Sequence, residues 1–240
     1  MTAALSPEKR EALKIFGGLS GSYDAVLDYC TFLQDRRWKD WVARTLCLER
    51  GSRVLDIGSG TGILGERLRR DCFVVGLDLS ERMLRVGQTR RPRAAGALLL
   101  SDGEKLPFRN RSFDAVASCY AVKYCHPGAL ASEIARVLKP GGRLSAYDFV
   151  RPRGPLWPLN AIYTYGGLPF MARVLRIKGS GAAYTFEALP RIVAGTRWEE
   201  LFGDALSQRG FSDVQRKLLS GGVAVGFTAT RGPGATNRNG

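Results

Sequence analysis

The chain has 240 residues, 45% of them hydrophobic, which suits one globular unit with a substantial core and excludes a disordered chain. Its five cysteines, an odd number with no CxxC pair, argue against a disulfide framework and against a cysteine metal site, so no metal is expected. A formal charge of +14 gives a surface that attracts polyanions: acidic lipid, nucleic acid or acidic substrates.

No apolar run reaches the ~18 residues needed to span a bilayer. Residues 1–16 lack the basic start and apolar stretch of a signal peptide, so a cytoplasmic protein is expected. Ser6-Pro7-Glu8 reads as a helix start, with Ser6 as cap and Pro7 in the first turn. That helix runs to about residue 15, and Gly17, Gly18 and Gly21 break it. A second helix is expected over 25–48, with Trp38 and Trp41 on one face.

From residue 53 the pattern alternates. Short apolar strands fall at 53–57, 73–77, 97–100, 113–118 and 143–149, and helices at 62–70, 80–88 and 128–138. The alternation predicts a parallel sheet covered on both faces. Arg82, Arg85, Arg90, Arg91 and Arg93 form the densest basic stretch. It reads first as a solvated helix face, and second as a patch for an anionic membrane. Residues 151–183 break the rhythm: Pro152, Pro155, Pro158 and Pro169 lie among Trp157, Tyr163, Tyr165 and Phe170, as in an inserted helical lid. A helix at 198–209 follows. Strands at 214–219 and 223–230 close as a hairpin across Ser220-Gly221-Gly222. The domain plan is a helical cap over 1–50, an α/β core over 51–150, a helical insert over 151–212, closing strands of the same domain over 213–230, and a disordered tail over 231–240.

The chemistry starts at Asp56-Ile57-Gly58-Ser59-Gly60-Thr61-Gly62, a glycine turn between the first strand and a helix. Such a turn lets backbone approach a ligand at the C-terminal edge of the sheet. Residues 60–65 also satisfy GxGxxG, so dinucleotide binding must be weighed. Asp56 argues against it: a carboxylate at the strand end repels a pyrophosphate and suits a cationic ligand carrying an ammonium and a sulfonium. Asp78, 22 residues beyond Asp56, can accept both ribose hydroxyls. Asp102 and Gly103, after the third strand, are placed to meet an adenine edge; the plain alternative for Asp102 is a turn or cap.

Val54-Leu-Asp-Ile-Gly-Ser-Gly-Thr-Gly62, Gly76-Leu-Asp-Leu-Ser80, Leu106-Pro-Phe108, Ser112-Phe-Asp114 and Arg136-Val-Leu-Lys-Pro-Gly-Gly142 together resemble the ordered motifs of class I S-adenosylmethionine-dependent methyltransferases. Over residues 16–231 the chain is more closely similar to the ubiquinone/menaquinone-biosynthesis C-methyltransferases (UbiE/MenG type). The likeness rests on Phe16…Tyr23-Asp24, Trp38-Lys39, Asp148-Phe149-Val150-Arg151-Pro152, Ala183-Tyr184-Thr185-Phe186 and Leu219-Ser-Gly-Gly-Val223. The resemblance implies a Rossmann-like seven-stranded mixed sheet with helices on both faces, an N-terminal helical extension and a helical insert before the last two strands. It implies S-adenosylmethionine held by Asp56, Gly58, Ser59, Gly60, Gly62, Asp78, Leu79, Met83, Asp102, Gly103 and Ser118.

The chain departs from that family after the fourth strand. Where the family reads Phe-Gly-Leu-Arg-Asn, this sequence reads Tyr120-Ala-Val-Lys123-Tyr124. Carbon is a poor methyl acceptor unless a hydroxyl on its ring loses a proton, so a base or a stabilising cation is wanted. Lys123 is the candidate for that charge, with Tyr124 and Tyr23 beside the ring; a surface lysine and two core tyrosines are the plain alternative. His126 reads as a helix-entry residue ahead of a general base. The expected acceptor is a prenylated quinol, its tail in the insert, with peripheral contact to the inner face of an anionic membrane and a homodimer left open. A small-molecule or phospholipid N- or O-methyltransferase is the second reading. A nucleic-acid methyltransferase is disfavoured, because no aromatic-basic cluster is visible. A cofactor-binding regulator without catalysis is the reading from outside enzymology.

Overall fold

A computed structural model describes residues 5–69, 71–91, 96–177 and 183–233. The disordered tail expected over 231–240 is corrected at its start, because Arg231 belongs to the last strand; residues 234–240 of that tail, and Arg93 of the basic stretch, lie outside the described residues. Seven strands form one sheet in the order β3-β2-β1-β4-β5-β7-β6. These are β1 (Arg53–Ile57), β2 (Phe73–Asp78), β3 (Ala97–Leu100), β4 (Phe113–Cys119), β5 (Leu138–Phe149), β6 (Phe211–Leu219) and β7 (Ala224–Arg231). β1 pairs in parallel with β2 and β4, while β7 runs antiparallel to both β5 and β6. The first strand therefore lies mid-sheet, and the chain reverses direction of filling beside it. This is where an open α/β sheet presents its ligand crevice.

Strand alternation distributes the core. Val54 packs with Trp38, Val42, Leu64 and Tyr147 on one face. Leu55 and Ile57 pack with Leu130, Ile134, Trp198 and Phe202 on the other. The helices on the first face are α2 (Tyr23–Cys30), α3 (Gln34–Thr45) and α4 (Ile63–Leu68); on the second are α6 (Pro127–Val137) and α10 (Trp198–Gln208). α5 (Glu81–Arg90) follows β2, and Ser80 caps it by accepting from the Met83 amide at 3.4 Å.

α1 (Pro7–Leu19) begins as the Ser6-Pro7 signal predicts, with Ser6 Oγ accepting from the Lys9 amide at 3.3 Å. It does not stand alone. Ile15 and Leu19 share a separate core with Leu168, Ala172 and Phe186 of the insert. The insert comprises α7 (Trp157–Ile162), a wider π turn at Tyr163–Gly167, α8 (Leu168–Ile177) and α9 (Ala183–Gly195). One cap thus forms from two distant stretches of sequence.

The single helix expected over 25–48 is two. Phe32 and Leu33 adopt φ of +48° and +62°, and the chain turns sharply between α2 and α3. Apolar periodicity continues through the break, which hid it. β6 starts earlier than expected, at Phe211, because a bulge between Ser212 and Gln215 lets two more residues, Phe211 and Ser212, pair with β7. The closing turn fits only glycine: a Cβ on Gly222 would lie 1.8 Å from the Arg153 carbonyl. No helix among the described residues is long and apolar enough to cross a membrane.

Candidate active site

The turn after β1 puts Gly58, Gly60 and Gly62 at φ of +77°, +54° and +81°. A Cβ on Gly58 would lie 2.6 Å from that of Ala121. This glycine therefore serves close packing as much as ligand approach. Gly62 does not line the cleft; it ends the turn as the residue preceding α4. Its amide donates to the Ser59 carbonyl at 2.9 Å.

Asp56 is 2% exposed, and its Oδ1 has no hydrogen-bond partner. Burial pushes its pKa up to about 7, against the pull of Lys39 and with a smaller push from Asp78. An orphaned carboxylate oxygen beside a glycine turn fits a ligand that brings a cation. Asp78 accepts from the Gly60 amide at 2.9 Å and the Ser80 amide at 2.8 Å. Burial holds it above the ordinary carboxylate range despite those donors.

Leu79, Met83, Asp102, Gly103, Tyr23 and Tyr124 join Asp78, Gly58 and Gly60 in lining one cleft under α1. Asp56 and Ser59 line a small void that continues from it past Tyr23, Tyr120 and Lys39. Lys9 reaches over from α1 and bridges Asp102 at 2.6 Å and Glu104 at 2.8 Å. In a chain with a large positive charge, four carboxylates gather here, at Asp56, Asp78, Asp102 and Glu104. The arrangement suits a cationic ligand with a ribose and an amino-bearing base, so the residues present fit S-adenosylmethionine.

Besides Gly62, two expected residues fall elsewhere. Ser118 is fully buried and donates to the Ile57 carbonyl at 3.0 Å, tying β4 to β1. The strand alternation turns its neighbour Cys119 to the cleft instead. Lys123 is neither a surface lysine nor a residue lining the cleft. Its Nζ lies 2.5 Å from Asp148 Oδ1, with side chains 1% and 0% exposed. Burial lowers the Lys123 pKa and raises that of Asp148, each opposed by the partner's charge. The Lys123 amide also donates to Asp148 Oδ2 at 3.2 Å. The pair pins the short 3-10 turn Val122–Tyr124 to β5, which sets Tyr124 against Phe16 at 5.7 Å between ring centroids. His126 caps α6, its Nδ1 accepting from the Ala129 amide at 3.3 Å.

Other site residues escaped the sequence. Asp35 accepts from Lys39 Nζ at 2.5 Å, Tyr147 Oη at 2.7 Å and Tyr120 Oη at 2.9 Å, all buried. Its spacing of four from Lys39 on one helix was a usable signal; the tyrosines come from distant strand ends and carried none. Asp24 accepts from Thr61 Oγ1 at 2.6 Å and pairs with Arg91 at 2.7 Å, which fastens α2 to the glycine turn.

Beyond the cleft lies a second void of about 620 Å³. Apolar side chains dominate its walls: Trp38, Phe149, Val150, Leu156, Leu159, Leu168, Leu189 and Val193 among them. It runs between the insert and the α2–α3 turn. Phe149 lines it and packs 5.0 Å from Tyr120, which lines the cleft.

Comparison with known proteins agrees with this geometry. The model of the ubiE/COQ5 methyltransferase family matches residues 4–231. A demethylmenaquinone methyltransferase of Tropheryma whipplei is 31% identical, with 93% of this chain and 92% of that protein covered. The ubiquinone/menaquinone biosynthesis C-methyltransferase UbiE of Chromobacterium violaceum is also 31% identical, with 93% of each covered. A solved SAM-dependent methyltransferase from Aquifex aeolicus has the same fold, with a TM-score of 0.53, 20% identity, and 80% and 88% of the two chains covered. The chain belongs to the ubiE/COQ5 methyltransferase family and is an S-adenosylmethionine-dependent methyltransferase.

Proposed function

We propose that this enzyme methylates a ring carbon of a prenylated quinol. The observation that carries the proposal is the apolar void of about 620 Å³ next to the cofactor cleft, one aromatic layer away. Such a volume matches a greasy tail, and each methylene it removes from water contributes about 0.8 kcal/mol. The names of the relatives, demethylmenaquinone and ubiquinone/menaquinone methyltransferases, support the same acceptor class.

When bound, S-adenosylmethionine supplies an electrophilic methyl on a sulfonium. The protein's own residues do the rest. Asp56 and Asp78 hold a cation and a ribose, and the glycine turn admits them. α1 covers the cleft, and the insert packs behind α1. Tyr23 and Tyr124, whose burial raises their pKa values well above the usual tyrosine value, remain neutral and can donate to an acceptor oxygen. Lys123 acts at one remove in this scheme, by fixing the turn that carries Tyr124. In-line positioning alone is worth several kcal/mol.

The test is methyl transfer from labelled S-adenosylmethionine into a membrane lipid extract, with the product identified by mass. Label on a prenylated quinol supports the proposal. Label on a phospholipid headgroup or a polar metabolite favours the N- or O-methyltransferase alternative, which the Lys123-Tyr124 departure from the family pattern keeps in view.

A further inference from the structure

Exposed apolar side chains gather at the mouth of the apolar void. In the α2–α3 turn, Phe32 is 67% and Leu33 is 52% exposed. At the start of the insert, Leu156 is 50%, Trp157 56%, Leu159 64% and Ile162 70% exposed. Phe32, Leu156 and Leu159 also line the void, so the patch is its rim. The two segments meet directly: Phe32 packs 5.3 Å from Tyr163, whose Oη donates to the Cys30 carbonyl at 2.8 Å. The β6–β7 turn fastens the third side, with the Asn160 side chain donating to the Gly221 carbonyl at 3.2 Å. Left in water, such a patch is a liability that contact with an apolar partner removes.

Basic residues flank it. Arg37 lies one helical turn from Leu33, and Arg151 begins the insert; both are exposed. Arg216, exposed on β6, is near enough to Arg153 to lower that group's pKa, after burial, which is the larger cause. The stretch at Arg82–Arg91 is less suited to the task. Arg85 pairs with Glu81, and Arg91 with Asp24 and Glu66.

We propose that this rim docks on an anionic bilayer, with Trp157, Ile162 and Leu33 in the interfacial layer and the void open to the lipid. The inference rests on the proposed lipid acceptor, because a prenyl chain entering by this mouth never crosses water. That same continuity selects a bilayer over another occupant. A protein or second copy seated on the rim would cover the entrance to the void, whereas lipid leaves it open. Apolar insertion with adjoining basic residues is the pattern of a peripheral membrane contact.

Trp157 reports on the proposal directly. Trp38 and Trp198 are 4% and 3% exposed, and Trp41 packs against Gly226. The protein is mixed with phosphatidylcholine–phosphatidylglycerol vesicles brominated on their acyl chains. The expected result is quenching of tryptophan fluorescence in the native protein, reduced in Trp157→Phe to what Trp38 on the void wall contributes, although that variant still sediments with vesicles. Ile162→Glu and Leu33→Glu, which lie outside the void and the cleft, are expected to weaken sedimentation about tenfold or more. Their turnover of a short-chain quinol in solution is expected to stay at the native level. Absence of quenching, or sedimentation indifferent to Ile162→Glu, overturns the proposal. A dimer that Ile162→Glu splits, without vesicle binding, also overturns it and assigns the rim to a second copy. Quenching by a protein that methylates no quinol keeps the docking surface and removes the acceptor. Methylation of detergent-dispersed quinol without quenching does the reverse.

Discussion

The rings of Tyr120 and Phe149 lie 5.0 Å apart with their planes at 36°, and each faces a different void. Tyr120 borders the cofactor cleft and Phe149 the apolar one. Tyr120 sits at φ +66°, a conformation unfavourable for a non-glycine residue, and its hydroxyl donates to Asp35. The fold holds this side chain between the two voids at a local cost. An acceptor with its tail in one void and its ring near the other must pass this pair.

Tail length should therefore govern affinity. Leu189 lines the apolar void on α9, away from the cofactor cleft. Leu189→Trp takes up room for the tail, and each methylene displaced forfeits about 0.8 kcal/mol. The KM for a long-prenyl quinol is expected to rise about tenfold or more, while that for a quinol without a tail changes little. Steady-state kinetics over a series of chain lengths checks this. Equal effects on long and short acceptors would place the tail elsewhere.

Cofactor affinity should depend on pH through Asp56. Its pKa stands at about 7 in the free protein because it is buried with one oxygen unpaired. A cationic ligand prefers the ionised carboxylate, so binding releases a proton below that pH. Affinity is expected to weaken by about tenfold for each unit below pH 7 and to level off above it. The stability of the free protein is expected to follow the opposite trend. A carboxyl whose folded pKa is raised binds more protons folded than unfolded, so its contribution falls as pH rises from about 4 to 7. Calorimetric titration and thermal melts across pH 5–8 measure both. Asp56→Asn should flatten both profiles.

Much of this was legible in the sequence. The glycine turn, Asp56, Asp78 and the alternation of strands and helices each leave a local signature, and all stand where expected. Lys123 and Ser118 were misplaced for one reason: a residue's position in the chain was visible but the direction of its side chain was not. Asp148 takes up the charge of Lys123 from 25 residues away, and the Ile57 carbonyl takes the Ser118 hydroxyl between neighbouring strands. The Asp35–Tyr120–Tyr147 network joins three separate elements and leaves no spacing to detect. The break at Phe32-Leu33 needed backbone torsions that apolar side chains rarely adopt.

The buried pair Lys123–Asp148 separates positioning from direct action. Lys123→Met leaves a carboxylate buried without its partner, at a cost of about 3–5 kcal/mol in stability. Lys123→Met combined with Asp148→Asn removes both charges and should recover most of that loss in denaturant titration. Turnover by the double variant is expected within about tenfold of native, the size of a modest positioning defect. A stable double variant that binds cofactor normally but shows no turnover would return Lys123 to direct contact with the acceptor.

Asp24 links the N-terminal cap to the glycine turn through Thr61 and Arg91. Asp24→Ala removes a charge-assisted hydrogen bond of about 1.5–3 kcal/mol and leaves Arg91 with Glu66 and the Thr61 carbonyl. Cofactor affinity is expected to fall about tenfold, with faster amide exchange along α2. Hydrogen exchange with and without cofactor reads this out. Unchanged exchange in α2 would mean that the cap is held by its apolar contacts instead.

Transfer of a labelled methyl from S-adenosylmethionine into membrane lipid decides whether the acceptor is a ring carbon of a prenylated quinol. The expected result is a single labelled product that gains one methyl on the ring of a long-chain quinol, with the label retained after cleavage of methyl ethers by hydriodic acid. Label confined to a headgroup nitrogen, an ether oxygen or a polar metabolite would contradict it.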